Sequence, residues 1–187
     1  ELHNNHHAFP SSAKFALRRF AFDIGWAMIC FFNKIGMAKV MRVAPSLDIR
    51  DDIHAPDQDT VKALLTHKFQ VMTDYFRGVT APTLREEAAR AGVSIKELPR
   101  RMRNALSSGG RWLDNDARER LGTWVSQRPA MANVMEYRRR LLELMEGRNG
   151  EAMLEGLKQW CREAEQSGNR ALQEFASRIK GYRLAHA

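Results

Sequence analysis

A chain of 187 residues, 44% of them hydrophobic, can bury one sizeable core and is too apolar to be disordered throughout. Its 30 Lys+Arg against 22 Asp+Glu leave a formal charge of +8, which favours phosphates, anionic headgroups or an acidic protein without choosing among them. The two cysteines, Cys30 and Cys161, lie far apart in sequence without nearby ligand-type residues, which excludes a disulfide scaffold or zinc ribbon and fits a reducing compartment.

The chain opens on ELHNNHHAFP, which places His3, His6 and His7 within five positions. Glu1 comes first, with neither an initiator methionine nor a secretory leader, so the HNNHH stretch reads as the surviving end of something longer. On a helix His3 and His7 would lie one turn apart, facing one metal. Imidazole suits iron, zinc, copper and nickel alike, so the pattern alone does not name the ion. Pro10, Ser11 and Ser12 then mark a turn.

Residues 20–43 are strongly apolar and long enough to cross a hydrocarbon core of about 30 Å. Asp23, Asn33, Lys34, Lys39 and Arg42 interrupt them, and each charge near mid-bilayer would cost roughly 2.5–3.5 kcal/mol. Ile24, Met28, Phe31 and Ile35 recur at i, i+4, i+7 and i+11, with Asp23 and Lys34 on another side. The expectation is an amphipathic helix, either lying on a membrane surface or packed into a soluble core.

VAPSLDIRDDIHAPDQDT follows, rich in Pro and Asp and without periodicity, and reads as a loop or linker. Val61, Leu64, Leu65, Phe69, Met72 and Phe76 then make one apolar stripe, with Asp59 or Thr60 placed as its cap. Further helical segments follow in series. TLREEAARAG ends at Gly92, SIKELPRRMRNAL contains Pro99, and SSGG at residues 107–110 is a flexible joint. DNDARERLGTWVSQRP, NVMEYRRRLLELMEG, EAMLEGLKQWCREAEQSG and RALQEFASRIKGY are helical segments parted by Pro129, the glycines at 147–150 and Gly168. Met153, Leu154, Leu157, Trp160, Cys161 and Ala164 form one face, and Leu172, Phe175, Ala176 and Ile179 another. No strand alternation of useful length is visible.

Basic residues cluster at Arg100, Arg101 and Arg103, and at Arg138, Arg139 and Arg140. The second trio is consecutive, so on a helix it fans round the circumference instead of forming a row that tracks phosphates. His54, His67 and His186 stand alone and are expected in surface or packing roles. Nucleophile elbows, zinc-protease signatures and phosphate-cradling loops are absent from the sequence.

HNNHHAFPSSAKF, running into FAFDIGWAMICFFNKIGMA, resembles the third histidine box and following segment of the membrane-bound fatty acid desaturases, particularly bacterial relatives of the stearoyl-CoA Δ9-desaturases. The features in register are H-N-x-H-H, the adjoining F-P, D-x-G-W at residues 23–26 and I-G-M-A at residues 35–38. The likeness covers roughly the first quarter of the chain, and the apolar pattern from Leu64 to Phe76 continues in the style of the bacterial members' C-terminal extension.

The resemblance implies a non-haem di-iron centre held by histidines from three boxes, which activates O2 and removes two hydrogens from a fatty acyl chain. His3, His6 and His7 would be the iron ligands of the third box, with Asn4 and Asn5 at most orienting them. It also implies an integral protein of the cell membrane, with this segment on the cytoplasmic side, and electrons from ferredoxin, rubredoxin or a cytochrome. A basic helical tail would dock such an acidic donor or rest on anionic headgroups. The first two histidine boxes and the four membrane spans do not occur in this sequence. Three imidazoles cannot assemble two irons, so the chain by itself is expected to be inactive.

The segment LKQWCREAEQSGNRALQEFASRIKGY is also similar to the helical C-terminal part of insertion-sequence transposases, at Trp160, Ala164, Ser167, Leu172, Phe175 and Ala176. Those residues are equally the stripes that any packed helices need. Together the readings give an all-α chain. Residues 1–44 end a desaturase catalytic domain with its third histidine box and an interfacial amphipathic helix, 45–60 are a linker, and 61–187 form a helical, bundle-like extension. The alternative is a non-enzymatic basic helical module that binds a partner protein or, less favoured, nucleic acid.

Overall fold

The computed structural model describes residues 24–40, 46–90, 106, 114–147 and 149–185. Its fold class is all-α, as expected, and contacts divide it into two units: Glu1–Asp48 with Leu184–Ala187, and Ile49–Arg183. Two four-residue strands, β1 (Ser46–Ile49) and β2 (Tyr182–Ala185), pair in a two-stranded sheet. Strands this short leave too few positions for an alternating pattern to register, which is why the sequence reading missed them.

In the first unit, α1 spans Ile24–Lys34 and buries none of its residues. It stops where the sequence supplies glycine. Gly36 adopts φ 77°, Met37 N–H donates to Phe32 O at 2.9 Å and Gly36 N–H to Asn33 O at 3.2 Å. These are the two bonds of a Schellman ending, and only glycine takes the left-handed position without strain.

The second unit begins with a polar clasp. Asp57 caps α2 (Gln58–Thr66), its Oδ1 accepting from Thr60 N–H at 2.9 Å while its own N–H reaches Thr60 Oγ1 at 3.4 Å. The cap is therefore Asp57, earlier than the Asp59 or Thr60 expected from the stripe, because only this register closes a capping box. Arg50 grips the same carboxylate from both oxygens, at 2.7 and 2.8 Å. Thr60 Oγ1 donates to Lys180 O at 2.9 Å, tying this clasp to the end of α8 (Arg170–Lys180).

The long stripe from Val61 to Phe76 is not one helix. His67, at φ −115° and ψ 34°, ends α2 and precedes α3 (Lys68–Tyr75). On α2 the buried face is Val61, Ala63 and Leu64, which leaves Leu65 38% exposed; beyond the break Val71, Met72 and Tyr75 are buried and Phe69 is 65% exposed. A π-helical turn, Phe76–Thr80, then leads into α4 (Ala81–Arg90). Pro82 accounts for it: proline has no N–H, and its ring crowds the carbonyl four residues back, at Gly78. The helix widens, Ala81 N–H donates to Phe76 O five residues back, and Thr83 Oγ1 donates to Val79 O at 2.9 Å.

Among the described residues the unit continues with α5 (Asn115–Ser126), α6 (Pro129–Glu146) and α7 (Gly150–Gln166), before α8. Pro129 opens α6, where its missing N–H costs nothing, and Asn149 and Asn169 cap α7 and α8 through side-chain oxygens. α7 packs against α6, α8 and α2, and α6 packs against α4 and α5. At the centre Trp160 lies edge-on to Tyr75, Tyr137 and Phe175, with ring centroids 6.4, 5.7 and 6.2 Å away. Its indole N–H donates to Tyr137 O at 3.0 Å, and Tyr75 O–H to Val134 O at 2.6 Å. A second cluster gathers Leu84, Leu106, Leu121 and Met131 against Phe76 and Trp124.

Candidate functional site

His3, His6 and His7, with Asn4 and Asn5 between them, lie outside the described residues, as do Arg100, Arg101, Arg103 and His186. Among the described residues no group of three or more His, Cys, Asp or Glu side chains is placed to hold a metal, and no helix is long and apolar enough to cross a membrane.

The described part of the candidate segment is α1. Its expected apolar row is present and faces outward: Ile24, Met28, Phe31 and Ile35 are all at least half exposed. Trp26, Ile29 and Phe32, at i, i+3 and i+6, form a second, half-buried strip. Residues 24–40 contain no acidic side chain, and their two charges, Lys34 and Lys39, are both exposed. The helix is thus apolar on two sides, with its cations gathered toward the C-terminal end, where the helix dipole favours them.

The other histidines fall where isolated histidines are expected. His54 is exposed in the loop before α2, and His67 is buried at the break between α2 and α3. Cys161 is buried beneath α8, and the loss of water pushes its thiol up to about 12, so it stays protonated and unreactive at neutral pH. Burial likewise raises the phenols of Tyr75 and Tyr182 well above their ordinary value. These groups are held in their neutral forms by packing.

The arginine trio on α6 is occupied. Arg139 pairs with Glu136 and Glu143 along its own helix, Arg140 bridges to Glu163 of α7 at 2.6 Å, and Arg138 is buried. The Arg140 guanidinium holds the Glu163 carboxyl below its usual value, and Arg139 does the same to Glu136. Such pairing leaves no row of unengaged cations on this face to follow a phosphate backbone. Beside it, between α6 and α7, runs an open groove of about 430 Å³ lined by Arg140, Glu143, Leu144, Met153 and Gly156. Gly156 lets Leu144 lie across α7, since a Cβ there would meet Leu144 Cδ2 at 2.5 Å. The groove is a packing crease, without a nucleophile and base placed together.

The polar groups that the sequence reading missed are the Arg50–Asp57–Thr60 clasp and the bond from Tyr182 O–H to Asp74 Oδ2 at 3.3 Å. The D-x-x-T spacing of Asp57 and Thr60 signalled the first. The second joins residues 108 positions apart and leaves no local signature.

Comparison with known proteins finds short local similarity to Δ9 desaturases of Arabidopsis thaliana. The Delta-9 desaturase-like 1 protein is 50% identical over 36 residues, 19% of this chain and 12% of that protein. Delta-9 acyl-lipid desaturase 2 is 49% identical over 41 residues, 22% of this chain and 13% of that protein. Delta-9 desaturase-like 2 protein is 50% identical over 36 residues. The chain spans only 12–13% of the length of the first two relatives. No protein-family profile and no solved structure matches it. The chain therefore carries a short Δ9-desaturase-like segment.

Proposed function

We propose that residues 1–44 are the end of the catalytic domain of a membrane-bound fatty acid desaturase, joined through residues 45–60 to a helical extension at 61–187. Identity of about half over 36–41 residues carries this reading, together with the H-N-x-H-H box, F-P, D-x-G-W and I-G-M-A that stand in desaturase register. His3, His6 and His7 supply imidazoles of the type that suits iron, and further histidine boxes, which this sequence does not contain, supply the rest of the ligand set. The di-iron pair, when bound, provides O2 activation and hydrogen removal from the acyl chain. An electron donor of the ferredoxin, rubredoxin or cytochrome type completes the reaction at the cytoplasmic side of the cell membrane. This chain's own part is to furnish the three imidazoles and, through α1, an apolar face beside them in sequence.

Sequencing the reading frame on the 5′ side of the Glu1 codon tests the proposal. Two further histidine boxes among apolar spans are expected, and in that longer product His3→Ala, His6→Ala or His7→Ala should each strip iron and abolish desaturation. A frame without such boxes overturns it.

A further inference from the structure

The outward row on α1 has the composition of a surface that inserts shallowly into one kind of membrane. We infer that Ile24, Met28, Phe31 and Ile35 seat α1 in the interface of an anionic bilayer, with Lys34 and Lys39 contacting lipid phosphates. The inference deepens the reading of residues 1–44 as part of a membrane enzyme by naming the lipid chemistry that α1 selects.

Three observations on one helix carry it. Ile24, Met28 and Phe31 fall within a strip of α1 about 60° wide, Ile35 directly follows the helix, and all four are at least half exposed. Lys34 sits about 90° round the helix from that strip, at its flank, where a long stem lies along apolar surface while its ammonium reaches headgroups. Across residues 20–43 the charge is net cationic, Lys34, Lys39 and Arg42 standing against the single acid Asp23, so the segment is attracted to an anionic leaflet. An apolar protein partner would be served by the row alone; the cations beside it, three in sequence against one acid, complement phosphate.

The test is co-sedimentation of the whole chain with vesicles of phosphatidylcholine and of phosphatidylcholine mixed with phosphatidylglycerol. Binding should favour the anionic vesicles. It should weaken about fivefold for each lysine in the series Lys34→Gln, Lys39→Gln and the double variant, at about 1 kcal/mol per cation near the surface. Phe31→Glu should abolish binding with the far-ultraviolet circular dichroism unchanged, because that side chain is exposed. The pair Arg85→Gln and Arg162→Gln, exposed in the second unit, should bind as the parent does. Equal binding to both vesicle types, loss only with the Arg85 and Arg162 pair, or no binding would each overturn the inference. A Phe31→Glu variant that converts a dimer to a monomer without altering vesicle binding would assign the row to a second copy instead. Failure here leaves the reading-frame test of the desaturase proposal untouched, and failure there leaves the vesicle result standing.

Discussion

Gly181 directly follows α8 with φ −83°, a conformation open to any residue, yet its hydrogen has no room to become a methyl group. A Cβ would collide with the Arg50 carbonyl oxygen and meet Ile49 Cγ2 at 3.2 Å, while the Gly181 carbonyl accepts from Arg50 N–H at 2.8 Å. Backbone on both sides cannot move aside as a flexible side chain can. Gly181→Ala should cost about 1–3 kcal/mol by urea denaturation, whereas Gly150→Ala, with nothing within 4 Å, should cost far less. The cysteines differ by the same logic of surroundings. Exposed Cys30 should react at once with a thiol reagent in the native protein, and buried Cys161 only on unfolding. Because the folded Cys161 value is raised from 9.0 to about 12, its contribution is fully present below pH 9 and is lost as pH rises toward 12. Alkaline denaturation of Cys161→Ala against the parent would show that window; an identical pH dependence would refute it.

At the scale of elements, α2 depends on one carboxylate that does two things. Asp57 caps the helix and receives Arg50 in a two-point ion pair. The Arg50 hydrogen bond holds that carboxyl well below the usual carboxylate range against the opposing effect of burial. A depressed folded value means the stabilisation is complete above the unfolded value of about 3.9 and fades as pH falls below it. Asp57→Ala should therefore lose about 1 kcal/mol at neutral pH through the cap and show a flatter acid limb in thermal melts below pH 4. An acid limb as steep as the parent's would place the titration elsewhere. Helices α7 and α8 were legible because their stripes keep one phase: Met153, Leu157, Trp160, Cys161 and Ala164, then Leu172, Phe175, Ala176 and Ile179, are buried as read, while Leu154, read into the same face, is only half-buried. The stretch from Val61 to Thr80 was not, because a backbone break at His67 and a π-helical turn set by Pro82 each shift the phase, and periodicity assumes a constant one. The short Δ9-desaturase likeness was legible for a different reason: its information lies in residue identity, which needs no phase.

Across the whole second unit, stability converges on Trp160. Its ring touches aromatics from α3, α6 and α8, and its N–H occupies a main-chain carbonyl of α6, so four helices share one side chain. The Trp160 N–H and the Tyr75 O–H both donate to main-chain carbonyls, so the cluster's polar groups serve its packing. The consequence is energetic. Truncating a buried tryptophan costs about 3–5 kcal/mol, against a total of about 5–15 kcal/mol for a domain, so Trp160→Ala should remove a large share of the cooperative transition. Trp160→Phe keeps an edge-on ring but withdraws the donor from the Tyr137 carbonyl, a loss of about 1–3 kcal/mol, and should fall between parent and alanine variant. Urea titrations followed by circular dichroism at helical wavelengths give the order directly. If both variants fell equally, the hydrogen bond and not the packed ring would be what holds α6 against α7; if Trp160→Ala melted like the parent, the four helices would not form a single cooperative core.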